Sequence, residues 1–278
     1  MTSTLDKKIT QALRLIESAS KIAQEHGQPL EIAYSGGKDS DVILELARMA
    51  DVPFRAIYKN TTIDPPGTIS HAIRQGAEML RPEYSFRQLI ERNGFPHRLR
   101  RHCCRFLKEY KVLDYSVLGV RREESSRRAE RYKEPEQCRV YGNGEKARQY
   151  FPILDWTSED IRLFAIRQEI RFHPLYYDAD GNFHPERRLG CMGCPLKYRK
   201  TRLDDLRQHP GMIKLYLGGV KSFYSAILIP RPHGVSVMYM SGLPWTCSVT
   251  PSSSLSRPIA QISLATPTAS SFWKTISA

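Results

Sequence analysis

The feature that most constrains the fold is a short apolar strand that runs into Ser35-Gly36-Gly37-Lys38-Asp39-Ser40 and continues as a helix. Two glycines let the backbone of this glycine loop (residues 35–40) turn tightly and approach a ligand closely. Successive N–H groups then converge beside the positive end of the helix dipole, where phosphate or sulfate binds. The lysine adds a charge, and the two serine hydroxyls can donate hydrogen bonds. The loop therefore predicts an anion site, although Asp39 or Ser40 could instead cap the helix.

The rest of the chain alternates strands and helices, which predicts an open, mostly parallel twisted sheet with helices on both faces. Apolar residues from Leu5 to Ile22 recur at helical spacing, and Gly27 follows as a stop signal. The further predicted strands are 31–34, 54–58 and 114–120, and the further predicted helices are 41–50, 68–80 and 158–170. Thr157 is the expected N-cap of the last helix.

Bulk composition restricts the class of protein. The hydrophobic content of 41% and charged content of 26% are typical of a folded globular chain. The polar N-terminus does not resemble a signal peptide, and no stretch approaches the ~20 apolar residues of a membrane span. We therefore expect a cytoplasmic protein without membrane contact. The net charge of +13 indicates an anionic partner, either a phosphorylated small molecule or nucleic acid.

The composition changes near Ser225. Residues 225–278 contain no Asp or Glu, and 17 of these 54 residues are Ser or Thr. This composition is typical of a poorly ordered, low-complexity tail. We predict a catalytic domain over residues 1–224, followed by a tail over 225–278 that does not belong to the catalytic fold.

Four of the six cysteines form two pairs, Cys103-Cys104 and Cys191-Met-Gly-Cys194. Two thiolate pairs set among basic residues are typical of a [4Fe–4S] cluster or a zinc site. Zinc sites usually separate paired ligands by two to four residues, so the adjacent pair favours the iron–sulfur cluster. The isolated Cys138 and Cys247 are more typical of small apolar residues.

An arginine-rich segment between Arg98 and Lys133 contains 12 Lys or Arg against five Asp or Glu. Its most ordered portion, residues 119–128, follows the predicted strand 114–120. In an open parallel sheet, ligands bind at the carboxyl ends of the strands, so this portion should face the glycine loop across one crevice. The guanidinium fork of arginine suits phosphate and sulfate, whereas a solvated basic face is the alternative.

Together, these motifs resemble the phosphoadenosine phosphosulfate (PAPS) reductase family, which has the adenine nucleotide α-hydrolase-like fold with a PP-loop. The resemblance extends from about residue 31 to 216. It is carried, in order, by the glycine loop, the Cys103-Cys104 pair with Lys108, residues 119–128, 152–157, 173–176 (His-Pro-Leu-Tyr) and 190–196.

The resemblance implies a role for each motif. The glycine loop and the arginine motif would bind the phosphate or sulfate end of a nucleotide, and residues 61–64 lie where the family has its second nucleotide loop. The implied nucleotide-binding residues are Ser35, Gly36, Gly37, Lys38, Asp39, Ser40, Arg121, Arg122, Ser125 and Arg128. The implied cluster ligands are Cys103, Cys104, Cys191 and Cys194, with Lys108 as a basic neighbour of the cluster or substrate and a candidate catalytic residue.

One departure from the family concerns the nucleophile. Sulfonucleotide reductases attack sulfate with a C-terminal cysteine in a Glu-Cys-Gly-x-His-like motif, and this chain lacks it. Cys247 is the only later cysteine, and its neighbours would not activate a thiol. The catalytic residue therefore stays unassigned.

Three functions follow as hypotheses. The first is an enzyme that binds adenylyl sulfate or PAPS and performs sulfur chemistry with a [4Fe–4S] cluster and a thioredoxin-type reductant protein. The second is ATP-dependent thiolation of nucleic acid, either of tRNA or as DNA phosphorothioation, with Mg²⁺ as a candidate companion of the nucleotide. The third is a non-catalytic nucleotide-binding module with structural zinc.

Overall fold

The computed structural model describes residues 4–111, 113–141 and 144–227. The strands are β1 (Leu30–Tyr34), β2 (Phe54–Lys59), β3 (Glu78–Leu80), β4 (Tyr115–Val117), β5 (Glu136–Val140) and β6 (Lys146–Tyr150). The α-helices are α1 (Thr4–Glu25), α2 (Lys38–Met49), α3 (Thr68–Arg74), α4 (Phe86–Asn93), α5 (His102–Leu107), α6 (Ser126–Arg131), α7 (Ser158–Arg167), α8 (Arg199–Gln208) and α9 (Pro210–Ile227). None of these helices is long and apolar enough to span a membrane.

The six strands form one sheet in the order β3-β2-β1-β4-β6-β5. All neighbours pair in parallel except β5 and β6, which form an antiparallel hairpin. This topology confirms the predicted open, mostly parallel sheet. The chain builds outward from β1 to β3 and then returns to place β4 on the other side of β1. The carboxyl ends of β1 and β4 therefore flank the point where strand order reverses, which is where such sheets bind ligands.

The main core forms where α1, α2 and α7 pack against the sheet. Alternate residues of β1 are buried, and Ile32 at the strand centre is fully inaccessible, as are Ile16 of α1 and Leu46 of α2. The helical spacing predicted for α1 is confirmed. Thr157 caps α7 as predicted, and it forms a capping box with Asp160.

Two predicted elements are much shorter in the structure, and the helix predicted over 158–170 ends three residues early, at Arg167. The helix predicted over 68–80 ends at Arg74, because Gly76 takes a left-handed φ of 76° and the chain then forms β3 against β2. The strand predicted over 114–120 is limited to β4, because residues 118–120 bend toward the glycine loop. The hairpin of β5 and β6 has no counterpart in the prediction.

A second apolar cluster forms beyond the sheet. Helices α4, α5, α8 and α9 bury Leu89, Ile90, Leu206 and Tyr216 together with Cys103. The predicted tail lies outside the described residues from 228 onward, and α9 occupies its first three positions.

Candidate functional site

The glycine loop joins β1 to α2, as predicted. Gly36 has a φ of 74°, and a Cβ there would lie 3.0 Å from Thr68 Cγ2 and 3.3 Å from Leu189 Cδ2, so glycine suits this position on both counts. Gly37 is the N-cap of α2, and no side chain caps this helix. The alternative reading of Asp39 or Ser40 as the cap is therefore wrong. In the first turn of α2, Lys38 N donates to the Tyr176 hydroxyl and Ser40 N donates to the Gly37 carbonyl, and anion binding at the loop stays a prediction.

Lys38 is 3% exposed and is held against the loop. Its ammonium lies 3.2 Å from Asp39 Oδ2 and 5.5 Å above the ring centre of Tyr176. Burial lowers the pKa of Lys38, which the Asp39 carboxylate partly offsets. The ammonium therefore stands beside the loop in a low-dielectric setting, where its charge acts strongly on a bound anion.

The arginine motif meets the glycine loop, as its position in the sheet predicted. A Cβ on Gly119 would lie 2.8 Å from both the carbonyl carbon and oxygen of Asp39, so the two backbones are in direct contact. Arg121 is only 2% exposed, and its Nε donates to Asp39 Oδ1 at 2.7 Å. Its Nη1 donates to Glu123 Oε2 at 2.6 Å. Arg121 therefore fixes the loop through Asp39, with its guanidinium already committed to carboxylates.

The other predicted motif residues divide into internal contacts and one cation near the loop. Arg122 donates to the carbonyls of Tyr132 and Lys133 and pairs with Asp155, away from the loop. Ser125 caps the short α6. Arg128 pairs with Glu124, and burial and nearby Arg188 lower its pKa, whereas Asp39 raises it. Among these three residues, Arg128 is therefore the one whose charge is influenced by Asp39 of the loop.

Sequence reasoning missed Arg188 as a site residue. It precedes the Cys191 loop, and its Nη2 donates to the Glu124 carbonyl at 2.8 Å. It is close enough to Lys38 and Arg128 to contribute to lowering the pKa of both. These three cations surround Asp39 and the loop. The two motifs that carried the resemblance here, residues 173–176 and 190–196, flank Arg188 but do not include it.

Tyr176 was noted only as part of a motif, yet its hydroxyl joins two loops. It accepts hydrogen bonds from Lys38 N at 3.2 Å and Leu189 N at 3.3 Å, and burial raises its pKa to about 12. The neighbouring His173 accepts from Leu175 N through Nδ1 at 3.1 Å and lies 3.2 Å from the Pro66 carbonyl through Nε2. Burial lowers the pKa of His173, in keeping with the neutral ring that these contacts require.

A buried polar network underlies the loop. Tyr34 donates to Asp41 Oδ1 at 2.5 Å, and His71 Nε2 lies 2.9 Å from Asp41 Oδ2. All three side chains are at most 3% exposed. Burial raises the pKa of Asp41, which its hydrogen bonds with His71 and Tyr34 oppose. The network holds the first turn of α2, and hence the loop, against β1.

A cavity of about 280 Å³ opens where β1, β2, β4 and β6 end. The glycine loop contributes Ser35 to its wall, and the segment after β2 contributes Thr61 and Asp64. Its remaining lining residues are Ala33, Tyr34, Ile57, Tyr58, Lys59, Lys108, Glu109, Leu113, Ser116, Leu118, Arg139, Tyr141 and Gln149. The mixture of apolar strand residues with a few polar groups is typical of a small-molecule site.

The two cysteine pairs converge on the second apolar cluster, next to this cavity. Cys191 Sγ lies 3.6 Å from Thr61 Oγ1 and 3.9 Å from Asp64 Oδ1, both of which line the cavity. A hydrogen bond with Cys104 and burial raise the pKa of Cys103. The charges of Cys194 and Cys191 raise it further. Desolvation acts to lower the pKa of Lys108, but Cys191, Asp64 and Cys104 raise it overall. The predicted ligands and Lys108 therefore share one neighbourhood.

The surroundings of the thiols fit an anionic group such as a thiolate-bound cluster. Arg202 is 9% exposed, and its Nε has no hydrogen-bond partner within the described ranges. Burial lowers the pKa of Arg202, and the charge of Cys194 opposes this shift. Both ring nitrogens of His102, next to the first pair, are likewise buried and unpartnered there. Within the same ranges, no three Cys, His, Asp or Glu side chains are arranged to hold a metal ion. The four thiols and the unpaired Nε–H of Arg202 are chemically suited to an anionic iron–sulfur cluster. Cluster binding remains a prediction.

Several known proteins are similar to the chain. Sulfate adenylyltransferase subunit 2 of Rhizobium meliloti is 30% identical over 183 residues, covering 53% of this chain and 60% of the relative. An uncharacterised protein of Methanocaldococcus jannaschii is 25% identical over 233 residues, covering 79% of this chain and 54% of the relative. A crystal structure of PAPS reductase from Candida auris in a phosphate complex aligns with 66% of this chain and 97% of that chain, at 15% identity and a TM-score of 0.40.

These curated relatives are longer than the matched region, and the chain spans between about half and two thirds of their length. The family match has a clearer extent. Residues 29–197, more than half of the 278, match the phosphoadenosine phosphosulfate reductase domain, and they include the glycine loop, the arginine motif and both cysteine pairs. The chain therefore belongs to the phosphoadenosine phosphosulfate reductase domain family.

Proposed function

We propose that the chain is an enzyme that binds an adenine nucleotide or sulfonucleotide at the glycine loop and performs sulfur chemistry on it with a [4Fe–4S] cluster. One observation carries the proposal. The cavity at the carboxyl end of the sheet is lined by Ser35 of the loop, and also by Thr61 and Asp64, which contact Cys191. A ligand in this cavity would contact the anion site and the cysteine neighbourhood at once.

Different residues would bind different parts of the nucleotide. The nucleoside would occupy the cavity, with its phosphate or sulfate end at the first turn of α2. Lys38, Arg128 and Arg188 would neutralise the anionic end, while Arg121 holds the loop in position through Asp39. Magnesium is a candidate companion for ATP in this arrangement.

Cys103, Cys104, Cys191 and Cys194 would hold the cluster. When bound, it would supply electrons or polarise the sulfur-bearing group beside the cavity. Arg202 would donate its unpaired Nε–H toward the anionic cluster, and Lys108 would place a positive charge between cluster and substrate. A thioredoxin-type protein is the proposed source of electrons for a reductive reaction.

The test is anaerobic purification followed by iron, sulfide and zinc analysis and titration with ATP, adenylyl sulfate and PAPS. The proposal predicts about four irons and four sulfides per chain, as one [4Fe–4S] cluster requires, together with saturable binding of at least one of the nucleotides. Cys191→Ser should abolish iron binding, and Cys138→Ser, which changes an exposed cysteine outside the cluster region, should leave it intact. Colourless protein with one zinc per chain would contradict the cluster.

ATP-dependent activation followed by sulfur transfer is a second candidate. The similarity to sulfate adenylyltransferase subunit 2 favours it, because that relative is named for adenylyl transfer. This reaction would release pyrophosphate from ATP in the presence of acceptor, whereas reduction of a sulfonucleotide would release sulfite. Measuring both products with the cluster-loaded protein separates the two reactions.

A further inference from the structure

Nearly all of the excess positive charge lies in the two segments that carry the cysteine pairs. Residues 92–108 and 187–203 contain 12 lysines and arginines and no aspartate or glutamate. The other 30 lysines and arginines of the chain are nearly matched by its 29 acidic residues. The net charge of +13 is therefore a local property of this region rather than a general one.

The fold brings these two segments together. Arg98 donates to the carbonyls of Pro195 and Leu196, at 3.2 and 3.5 Å. Arg98 and Arg199 both lower the pKa of Arg202, after burial, which is the larger cause. Residues 97–101 and 196–200 thus form one continuous basic surface beside the cysteine neighbourhood.

Most charges of this basic surface lack acidic partners, and Lys197, which pairs with Asp205 at 2.7 Å, is the exception. Arg100, Arg101, Arg199 and Lys200 are exposed, and none of them pairs with a carboxylate among the residues that the structure describes. Residues 228–278 likewise contain no Asp or Glu. Such a concentration of like charge is unfavourable unless an external anion covers it.

Large exposed side chains lie among the cations. Tyr198 is 84% exposed and Leu99 is 94% exposed, so neither packs into the fold. Arginines interleaved with an exposed aromatic ring are typical of single-stranded nucleic-acid sites, where guanidinium groups bind phosphates and bases stack on the ring. An acidic protein would use the charges but would leave the tyrosine ring without a specific partner.

We infer that the basic surface of residues 97–101 and 196–200 binds single-stranded nucleic acid and holds it beside the cysteine neighbourhood. Binding is governed by phosphate contacts and by stacking on Tyr198, so it tolerates different base sequences. It does not require that the glycine loop be occupied, and it goes beyond the proposed nucleotide chemistry by naming a macromolecular ligand.

The test is fluorescence anisotropy with a labelled 20-nucleotide oligo(U), from 50 to 200 mM NaCl, using nucleotide-free, anaerobically purified protein. The triple variant Arg100→Glu, Arg199→Glu and Lys200→Glu should weaken binding at least tenfold and make the plot of log affinity against log salt shallower by about two, at ~0.7 per lost phosphate contact. A matched control reverses three exposed charges of α1 (Lys7→Glu, Arg14→Glu and Lys21→Glu), with the same change in net charge, and should bind nearly as the parent does.

Tyr198→Ala tests stacking separately, because the side chain is 84% exposed and its removal should leave the fold intact. It should weaken binding about tenfold, and Tyr198→Phe should restore it, since stacking needs only the ring. Equal losses in the two triple variants would overturn the inference, as would no binding at 50 mM salt. Displacement of oligo(U) by poly-glutamate at equal charge concentration would also overturn it and point instead to an acidic protein partner. Because nucleotide binding at the glycine loop is measured separately, failure here is distinguishable from failure of the proposed function.

Discussion

Gly119→Ala tests whether the arginine motif and the glycine loop are packed as one unit. A Cβ at this position would lie 2.8 Å from the carbonyl carbon and oxygen of Asp39. Carbon contacts are favourable at ~3.5–4.0 Å, so the two backbones must separate by roughly 0.7 Å or more. Neither contacting atom belongs to a flexible side chain, and Asp39 is further held by Arg121. Overpacking of this kind costs about 1–3 kcal/mol.

The expected result is a lower Tm, by about 2–4 °C for each kcal/mol in a domain of this size. Nucleotide affinity should also fall by about tenfold or more, because the displaced loop carries the anion site, and tenfold corresponds to ~1.4 kcal/mol. Calorimetric unfolding and titration with ATP, adenylyl sulfate and PAPS measure the two effects. Gly211→Ala is the control, since a Cβ there meets nothing within 4 Å. Unchanged Tm and affinity in Gly119→Ala would refute the described contact.

Three further changes have defined outcomes. Arg121→Ala should lower the free energy of unfolding by about 1.5–3 kcal/mol in denaturant titrations, because it removes a buried donor to Asp39 and Glu123 while Lys38 still pairs with Asp39; a loss below about 1 kcal/mol would contradict this. Tyr176→Phe should cost about 1–3 kcal/mol by removing the acceptor of two backbone N–H groups, whereas Tyr198→Phe should leave Tm unchanged. His173 has a folded-state pKa below its ordinary value, so its contribution to stability is full above about pH 6.5 and is lost as pH falls through the folded pKa. Stability of His173→Gln should therefore decline less than that of the parent between pH 7 and 5, and parallel curves would oppose this assignment.

The parts of the fold that the sequence predicts are those that depend on local patterns. The glycine loop, α1 and the Thr157 cap are each specified by residues within a few positions of one another. The short β3 lies within the helix predicted over 68–80. Its three residues are too few to show the alternation of a strand, and only pairing with β2 defines them. The hairpin of β5 and β6 is similarly defined by cross-strand pairing.

The sequence predicted which motifs form the candidate site, but not most of the side-chain contacts between them. Strand order correctly placed the arginine motif beside the glycine loop, but not the burial of Arg121 in ion pairs. Tyr176 and Lys38 are separated by 138 positions, so their hydrogen bond has no local signal. Arg188 likewise reaches the site only because the segment before Cys191 folds back over the loop.

The proposed function places the nucleotide in the cavity between the glycine loop and the cysteine neighbourhood. Photo-crosslinking with the 8-azido form of the nucleotide that binds best, followed by mapping of the modified residues, tests it directly. Adducts are expected on the strand ends that line this cavity, within residues 33–35, 57–61 and 116–118, and the unmodified nucleotide should suppress them. A second cavity of about 310 Å³ lies at the opposite end of the strands, beside His26, Gln28 and Lys146. Adducts confined to those residues and suppressed by unmodified nucleotide would contradict this placement of the nucleotide.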